Sequence, residues 1–262
     1  MTLQARCKVR VRQSGIRNIR LEIEYDGTNY CGWQVQTRNP AKKSVQQALE
    51  TALRKIVHEK VALNASGRTD AGVHALAQVA NFTTLSKIPV DKLQLALNSL
   101  LPDDIAVTAA LEVGAGFHSR FSAKSKVYRY VIINRKYPSA LLRDRAYFCS
   151  YPLDLALMRK EARSLLGRHN FSAFQASDKI KRAAVRTIKA IKIVKVGDEV
   201  RIEIEADGFL YNMVRNIAGT LLEAGRGRFE RGSLKRILLS KNRESAGPAL
   251  PAKGLFLVKV KY

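Results

Sequence analysis

Ala65-Ser66-Gly67-Arg68-Thr69-Asp70-Ala71-Gly72-Val73-His74 is a polar loop between two apolar segments, and it decides how the rest of the chain is interpreted. Residues 44–57 before it have the periodicity of an amphipathic helix, and residues 77–82 after it favour a strand. The two glycines allow a tight bend. An arginine two residues from an aspartate is expected to lower the pKa of Asp70 and keep it ionised. Asp70 is therefore the candidate reacting group, with a capped surface turn as the alternative.

Hydrophobic periodicity predicts alternating strands and helices on both sides of this loop. The predicted strands span 19–25, 77–82, 105–113, 126–133, 187–196, 199–206 and 255–262. The predicted helices span 44–57, about 89–101, 154–166, 209–224 and a short segment after residue 233. This alternation favours an α+β class, with antiparallel sheets and helices on one face. The glycine-rich stretch 114–116 predicts a boundary between domains 18–114 and 115–262, preceded by a flexible basic arm, 1–17.

Charge is unevenly distributed along the 262 residues, whose formal net charge is +24. Residues 1–114 carry 15 basic and 10 acidic side chains, whereas the remainder carries 31 and 12. Such an excess attracts a polyanion, either RNA or an anionic membrane surface, and charge alone does not choose between the two. Three basic stretches, 120–145, 179–195 and 226–243, hold most of this excess.

Cysteine and histidine usage predicts neither a metal site nor structural disulfides. The three cysteines are far apart, and the four histidines form no ligand-spaced pair. No apolar run approaches the length that a membrane helix requires, so we expect no membrane association. We therefore expect a cytoplasmic protein with reduced thiols and without a small-molecule cofactor.

Further motifs accompany the loop in a fixed order along the chain. They are Tyr25-Asp26-Gly27-Thr28, Gly32-Trp33-Gln34, Leu97-Asn98, Leu101-Pro102, Phe117-His118, Arg120-Phe121-Ser122-Ala123, Tyr128-Arg129-Tyr130, Gly208-Phe209-Leu210-Tyr211, Met213-Val214-Arg215-Asn216 and Gly254-Leu255. With residues 67–75, this set resembles the tRNA pseudouridine synthase A (TruA) family over residues 18–262. The resemblance implies two α+β domains with RRM-like topology, whose sheets meet side by side with the catalytic loop at the cleft between them.

The resemblance also implies a function and roles for individual residues. It implies isomerisation of uridine to pseudouridine at nucleotides 38, 39 and 40 of the tRNA anticodon stem-loop, by a homodimer that needs no cofactor. Asp70 would be catalytic, Tyr128 would stack on the flipped uracil, Arg215 would pair with Asp70, and Arg68 would contact the substrate. Leu255, which strict alternation places on the lysine-bearing side of its strand, would form the pocket wall.

RNA binding is expected to rest on cations within the three basic stretches, although solvated faces are their usual meaning. The candidates are Arg120, Lys126, Arg129, Lys181, Arg182, Arg226 and Arg228. Ser66, Lys126, Asn212 and Asn242 depart from the residues usual in the family. Two other functions remain open at this stage: a pseudouridine synthase with another RNA target, and a non-catalytic RRM-like RNA-binding protein.

Overall fold

The computed structural model describes residues 15–36, 43–176 and 183–262, and within these ranges ten strands form one sheet. The strands are β1 (Arg17–Tyr25), β2 (Asn64–Ala65), β3 (His74–Thr84), β4 (Ile105–Val113), β5 (Ser125–Asn134), β6 (Tyr147–Cys149), β7 (Gly167–Asn170), β8 (Val185–Val196), β9 (Glu199–Ala206) and β10 (Leu255–Lys261). The helices are α1 (Val45–Val57), α2 (Val90–Leu100), α3 (Leu155–Ala162), α4 (Met213–Gly225) and α5 (Ser233–Ser240).

The sheet runs through both halves of the chain in the order β4-β1-β3-β10-β5-β9-β8-β7, with β2 beside β3 and β6 beside β5. Only the pairs β3–β10 and β5–β6 are parallel, so the sheet is mixed but mostly antiparallel. The predicted α+β class is confirmed. The predicted domain boundary lies in the turn between β4 and β5, and it stays a prediction. Residues 1–14 of the predicted basic arm lie outside the described residues, whereas Arg17 already belongs to β1.

The strand β10 joins the two halves of the sheet. One edge pairs in parallel with β3, where Phe256 lies opposite His74, and the other edge pairs antiparallel with β5. A bulge at Val258 interrupts the pairing with β5. It shifts the alternation, so Leu255 faces the same side as the buried Tyr130, opposite to the lysines of β10. The prediction that Leu255 lies on the lysine-bearing side is wrong for this reason.

The helices α1 and α4 differ in how they bury their residues. In α1, Ser44 caps the helix by accepting a hydrogen bond from the Gln47 amide at 3.2 Å, and one apolar face is buried, as predicted. Every residue of α4 except Arg215 is buried. This helix starts at Met213 rather than at residue 209, because Asn212 has a left-handed backbone with φ of 58°.

The described ranges hold neither a membrane-spanning helix nor a cluster of metal-ligating side chains. None of the helices there is long and apolar enough to cross a membrane. In the same part of the chain, no group of three or more His, Cys, Asp or Glu residues is arranged to hold a metal ion.

Candidate active site

The loop 66–73 connects β2 to β3, and β3 holds its first residues in place. The amide of Ser66 donates to the Val79 carbonyl at 2.7 Å. The Ser66 hydroxyl donates to Gln78 Oε1 at 2.7 Å, and Gln78 Nε2 donates to the Gly67 carbonyl at 2.9 Å. Ser66 and Gln78 are fully buried, so these bonds fix the start of the loop with little competition from water.

The last residue of β1 and the segment that follows it hold the middle of the loop. The Trp33 amide donates to the Thr69 carbonyl at 3.0 Å, and the hydroxyls of Tyr25 and Thr69 share a hydrogen bond of 2.7 Å. Gly32 has φ of 102°, and a Cβ atom there would lie 2.5 Å from the Thr69 oxygen. A glycine is therefore required for this close approach, which explains why the Gly32-Trp33 motif accompanies the loop in the sequence.

Asp70 is half-buried at the centre of the loop and lines two clefts. Burial raises the pKa of Asp70 because it disfavours the charged form, and the positive charge of Arg215 partly opposes this effect. The expectation that Arg68 lowers the pKa of Asp70 is therefore wrong. Arg68 is exposed at the edge of the cleft, and the cation that acts on Asp70 is Arg215.

Arg215 is held in place at the start of α4. Its Nε atom donates to the Leu250 carbonyl at 2.6 Å, and its Nη1 atom donates to Asn212 Oδ1 at 2.7 Å. Arg215 and Asp70 line the same opening, a cleft of about 430 Å³. Because two hydrogen bonds fix the guanidinium, its charge is oriented before any ligand arrives.

Asp70 also lines a larger cleft of about 790 Å³, whose lining includes Tyr128 and Leu255. Tyr128 lies on β5 and contacts Phe209 edge-to-face, with the ring centroids 5.0 Å apart. Burial raises the pKa of Tyr128, and Tyr25 and Asp70 raise it further, so its hydroxyl keeps its proton at physiological pH. A carboxyl group beside an aromatic and aliphatic slot suits a flat, uncharged ring attached to a sugar.

Several cations line this larger cleft. Arg68, Arg120 and Lys126, three of the predicted substrate- and RNA-binding residues, lie in its lining. Lys126 Nζ also donates to the Ser66 carbonyl at 2.6 Å, which ties β5 to the loop. Burial lowers the pKa of Lys126 to about 8, with a contribution from the charge of Arg120.

Other predicted RNA-binding residues lie away from the cleft. Arg129 is on the opposite face of β5 from Tyr128, where its Nη2 atom is 2.6 Å from Glu203 Oε1. Lys181 and Arg182 lie outside the described residues.

Arg226 and Arg228 follow the C-terminal end of α4, at the opposite end from Arg215. Both pair with Glu223, at 2.9 and 3.2 Å. The side chain of Arg226 also covers the ring of Tyr151 at 4.1 Å from its centroid. The structure therefore brings neither arginine to the cleft.

The cleft also contains residues to which the sequence interpretation gave no role. Phe121, Arg186 and Phe209 line it. Two sequence signals pointed to them: Phe121 and Phe209 belong to motifs shared with the family, and Arg186 belongs to the basic stretch 179–195. What the sequence could not indicate was that these distant segments meet at Asp70.

The comparison with protein families identifies the class. A family model described as tRNA pseudouridine synthase matches residues 22–122 and 162–262. Pseudouridine synthases are isomerases, and the loop, the slot and the cations described above lie within or beside the matched ranges. The chain belongs to the tRNA pseudouridine synthase family, and its activity is the conversion of uridine to pseudouridine in tRNA.

Curated relatives narrow the family further. The chain is 49% identical to tRNA pseudouridine synthase A of Thermoanaerobacter sp. (strain X514) over 247 residues. The aligned region covers 94% of this chain and 100% of the relative. Identity and coverage are the same for tRNA pseudouridine synthase A of Acetivibrio thermocellus. The protein named tRNA pseudouridine synthase A 2 of Clostridium perfringens is 45% identical over the same coverage.

Proposed function

We propose that the chain isomerises uridines at nucleotides 38, 39 and 40 of the tRNA anticodon stem-loop, with Asp70 as the reacting group. One observation carries the assignment of the site: Asp70, Tyr128 and Leu255, from three distant segments, line one cleft. The nucleotide positions rest on the sequence resemblance to the TruA family, and the names of the curated relatives support it.

The reaction breaks the N1–C1′ bond of uridine, turns the base, and forms a C5–C1′ bond. C5 loses its proton and N1 gains one, so the product is an isomer of uridine. The isomerisation has no net redox change and therefore needs no cofactor. Asp70 could add to the base, attack C1′ or remove a proton from C2′, and each role requires its ionised form. Entry of the base removes more water from Asp70 and so favours its protonated form further. The fixed positive charge of Arg215 opposes this protonation.

Tyr128 and Leu255 would hold the uracil ring in the slot. Uracil must leave the helical stack to reach Asp70, and an aromatic face compensates for part of the stacking that is lost. A phenol whose pKa is raised stays protonated at neutral pH and its phenolate is not available as a base, so the raised pKa of Tyr128 favours stacking over proton abstraction. Arg68, Arg120 and Lys126 would attract the phosphates on either side of the flipped nucleotide.

We also propose that the enzyme acts in the cytoplasm as a homodimer, with domains 18–114 and 115–262, and that one subunit positions the tRNA for the site of the other. This arrangement follows from the family resemblance. Light scattering during size-exclusion chromatography, with and without tRNA, tests it directly. A monomer under both conditions would contradict the homodimer.

The decisive experiment compares Asp70→Asn with Asp103→Asn, an exposed carboxyl on the loop before β4. The substrates are tRNA transcripts with a single uridine at position 38, 39 or 40, and the product is mapped by pseudouridine-specific chemistry. We expect Asp70→Asn to form no pseudouridine while its tRNA affinity stays within a few-fold, because the substitution removes the charge and keeps the shape. Asp103→Asn should behave as wild type. Turnover by Asp70→Asn would place the reacting group elsewhere, and product only outside these positions would refute the target.

A further inference from the structure

The turn 118–122 between β4 and β5 presents Phe121 at the edge of the larger cleft. The side chain is 77% exposed, so it contributes little buried area to the fold. The mechanism above gives it no task. An aromatic ring that is exposed beside a site for RNA needs an explanation other than packing.

The turn itself is rigid, because hydrogen bonds hold the buried Ser119 on several sides. The Ser119 amide donates a hydrogen bond to Asn81 Oδ1 at 2.9 Å, and the Ser119 hydroxyl donates one to the Asn64 carbonyl. The Tyr262 hydroxyl donates to the Ser119 carbonyl at 2.9 Å. These contacts tie the turn to β2, β3 and the end of β10. The position of Phe121 is thus fixed relative to the loop that carries Asp70.

Polar neighbours contact the ring of Phe121 without covering it. The ring of His118 lies 4.4 Å from it, centroid to centroid, at 39°. The guanidinium carbon of Arg120 lies 5.7 Å from the centroid. An aromatic face next to a guanidinium is the combination that binds a nucleobase and its phosphate together.

We propose that Phe121 stacks on a nucleobase adjacent to the uridine that enters the cleft, and so positions the RNA for the reaction. When the target uridine leaves the stack, its neighbour loses a stacking partner. Phe121 would replace that partner, while Arg120 binds the phosphate beside it. The proposal rests on the proposed function, in that it takes the Asp70 cleft as the place where the uridine reacts.

The test uses full-length tRNA and four variants of the whole enzyme. Phe121→Trp keeps an aromatic face, Phe121→Leu keeps only apolar volume, and Phe121→Ala removes both. Tyr137→Ala is the matched control, because Tyr137 is 66% exposed with Lys136 Nζ at 5.2 Å from its ring centroid and does not line the cleft. We expect Phe121→Ala and Phe121→Leu to bind tRNA about 5- to 150-fold more weakly, and the other two to stay within about threefold of wild type.

A second set of substrates identifies the base. Each carries one abasic nucleotide next to the isomerised uridine, on its 5′ or its 3′ side. At one of these positions, the abasic change should weaken wild type as much as Phe121→Ala does, and the two changes together should add nothing further.

Three results would overturn the proposal: unchanged binding by Phe121→Ala, wild-type behaviour of Phe121→Leu, or additive effects at both abasic positions. Unchanged thermal stability of Phe121→Ala is expected and separates the stacking role from a structural one. Turnover by Asp70→Asn in the same assays would instead refute the proposed function, so the two failures are distinguishable.

Discussion

Replacement of Lys126 by arginine is expected to extend the activity of the enzyme to higher pH. Lys126 ties β5 to the catalytic loop through the Ser66 carbonyl, and burial lowers its pKa to about 8. The protonated fraction therefore falls from about 90% at pH 7 to about 10% at pH 9. If the loop requires the ammonium form, the wild-type rate falls about tenfold over this range. An arginine stays charged throughout, so Lys126→Arg should keep its rate.

The measurement is the single-turnover release of tritium from C5-labelled uridine in tRNA between pH 6.5 and 9.5. Lys126→Met is the third enzyme: loss of a charge-assisted hydrogen bond should lower its rate about 10- to 100-fold, with no alkaline fall beyond the one that the substrate itself causes. The uracil imide also loses its proton at alkaline pH, but all three enzymes share that substrate. An alkaline fall that persists unchanged in Lys126→Arg would refute the reasoning.

Two further predictions follow from backbone contacts and from the placement of the charges. A Cβ atom at Gly27 would lie 2.0 Å from the Val73 carbonyl oxygen. A Cβ atom at Gly114 would have no neighbouring atom within 4 Å. Gly27→Ala should therefore lower the melting temperature by about 2–10 °C in calorimetry, and Gly114→Ala should change it little. Arg120→Gln should make the slope of log affinity against log salt shallower by about 0.7–0.9 in fluorescence anisotropy, whereas Arg129→Gln, on the other face of the sheet, should not. Equal slopes for the two would contradict this placement.

Local periodicity was sufficient to predict many of the elements. The strand β4 matches its predicted bounds, because alternation and flanking turn residues are both local signals. The helix α1 was predicted from its apolar face and its capping serine. The bulge at Val258 was not predictable, because it depends on the pairing of β10 with a strand more than a hundred residues away. One inserted residue reverses the face of every side chain before it, and so Leu255 was placed on the wrong side.

At the candidate site, the pairing of charges between distant segments was likewise not predictable from the sequence. The sequence indicated which stretches are rich in basic residues, but not which of their arginines are neutralised by a partner from another segment. Arg129 pairs with Glu203 of the neighbouring strand β9, whereas Arg120 remains at the cleft. The pKa of Asp70 depends on burial, which arises only when distant segments assemble around the loop. Residue types and motifs therefore suggested the chemistry, and tertiary packing decided the electrostatics.

The position of β10 between β3 and β5 has a consequence for how the enzyme acquires its activity. Phe256 pairs with His74, about 180 residues earlier in the chain, so this contact closes a very long loop. Contacts of such separation form slowly, and they form after the local hairpins of each half. The wall that carries Leu255 can reach Asp70 only when this strand is seated. Folding intermediates that lack β10 would thus hold basic surfaces able to attract RNA without a site able to modify it, and catalytic competence should appear in the slowest phase of refolding.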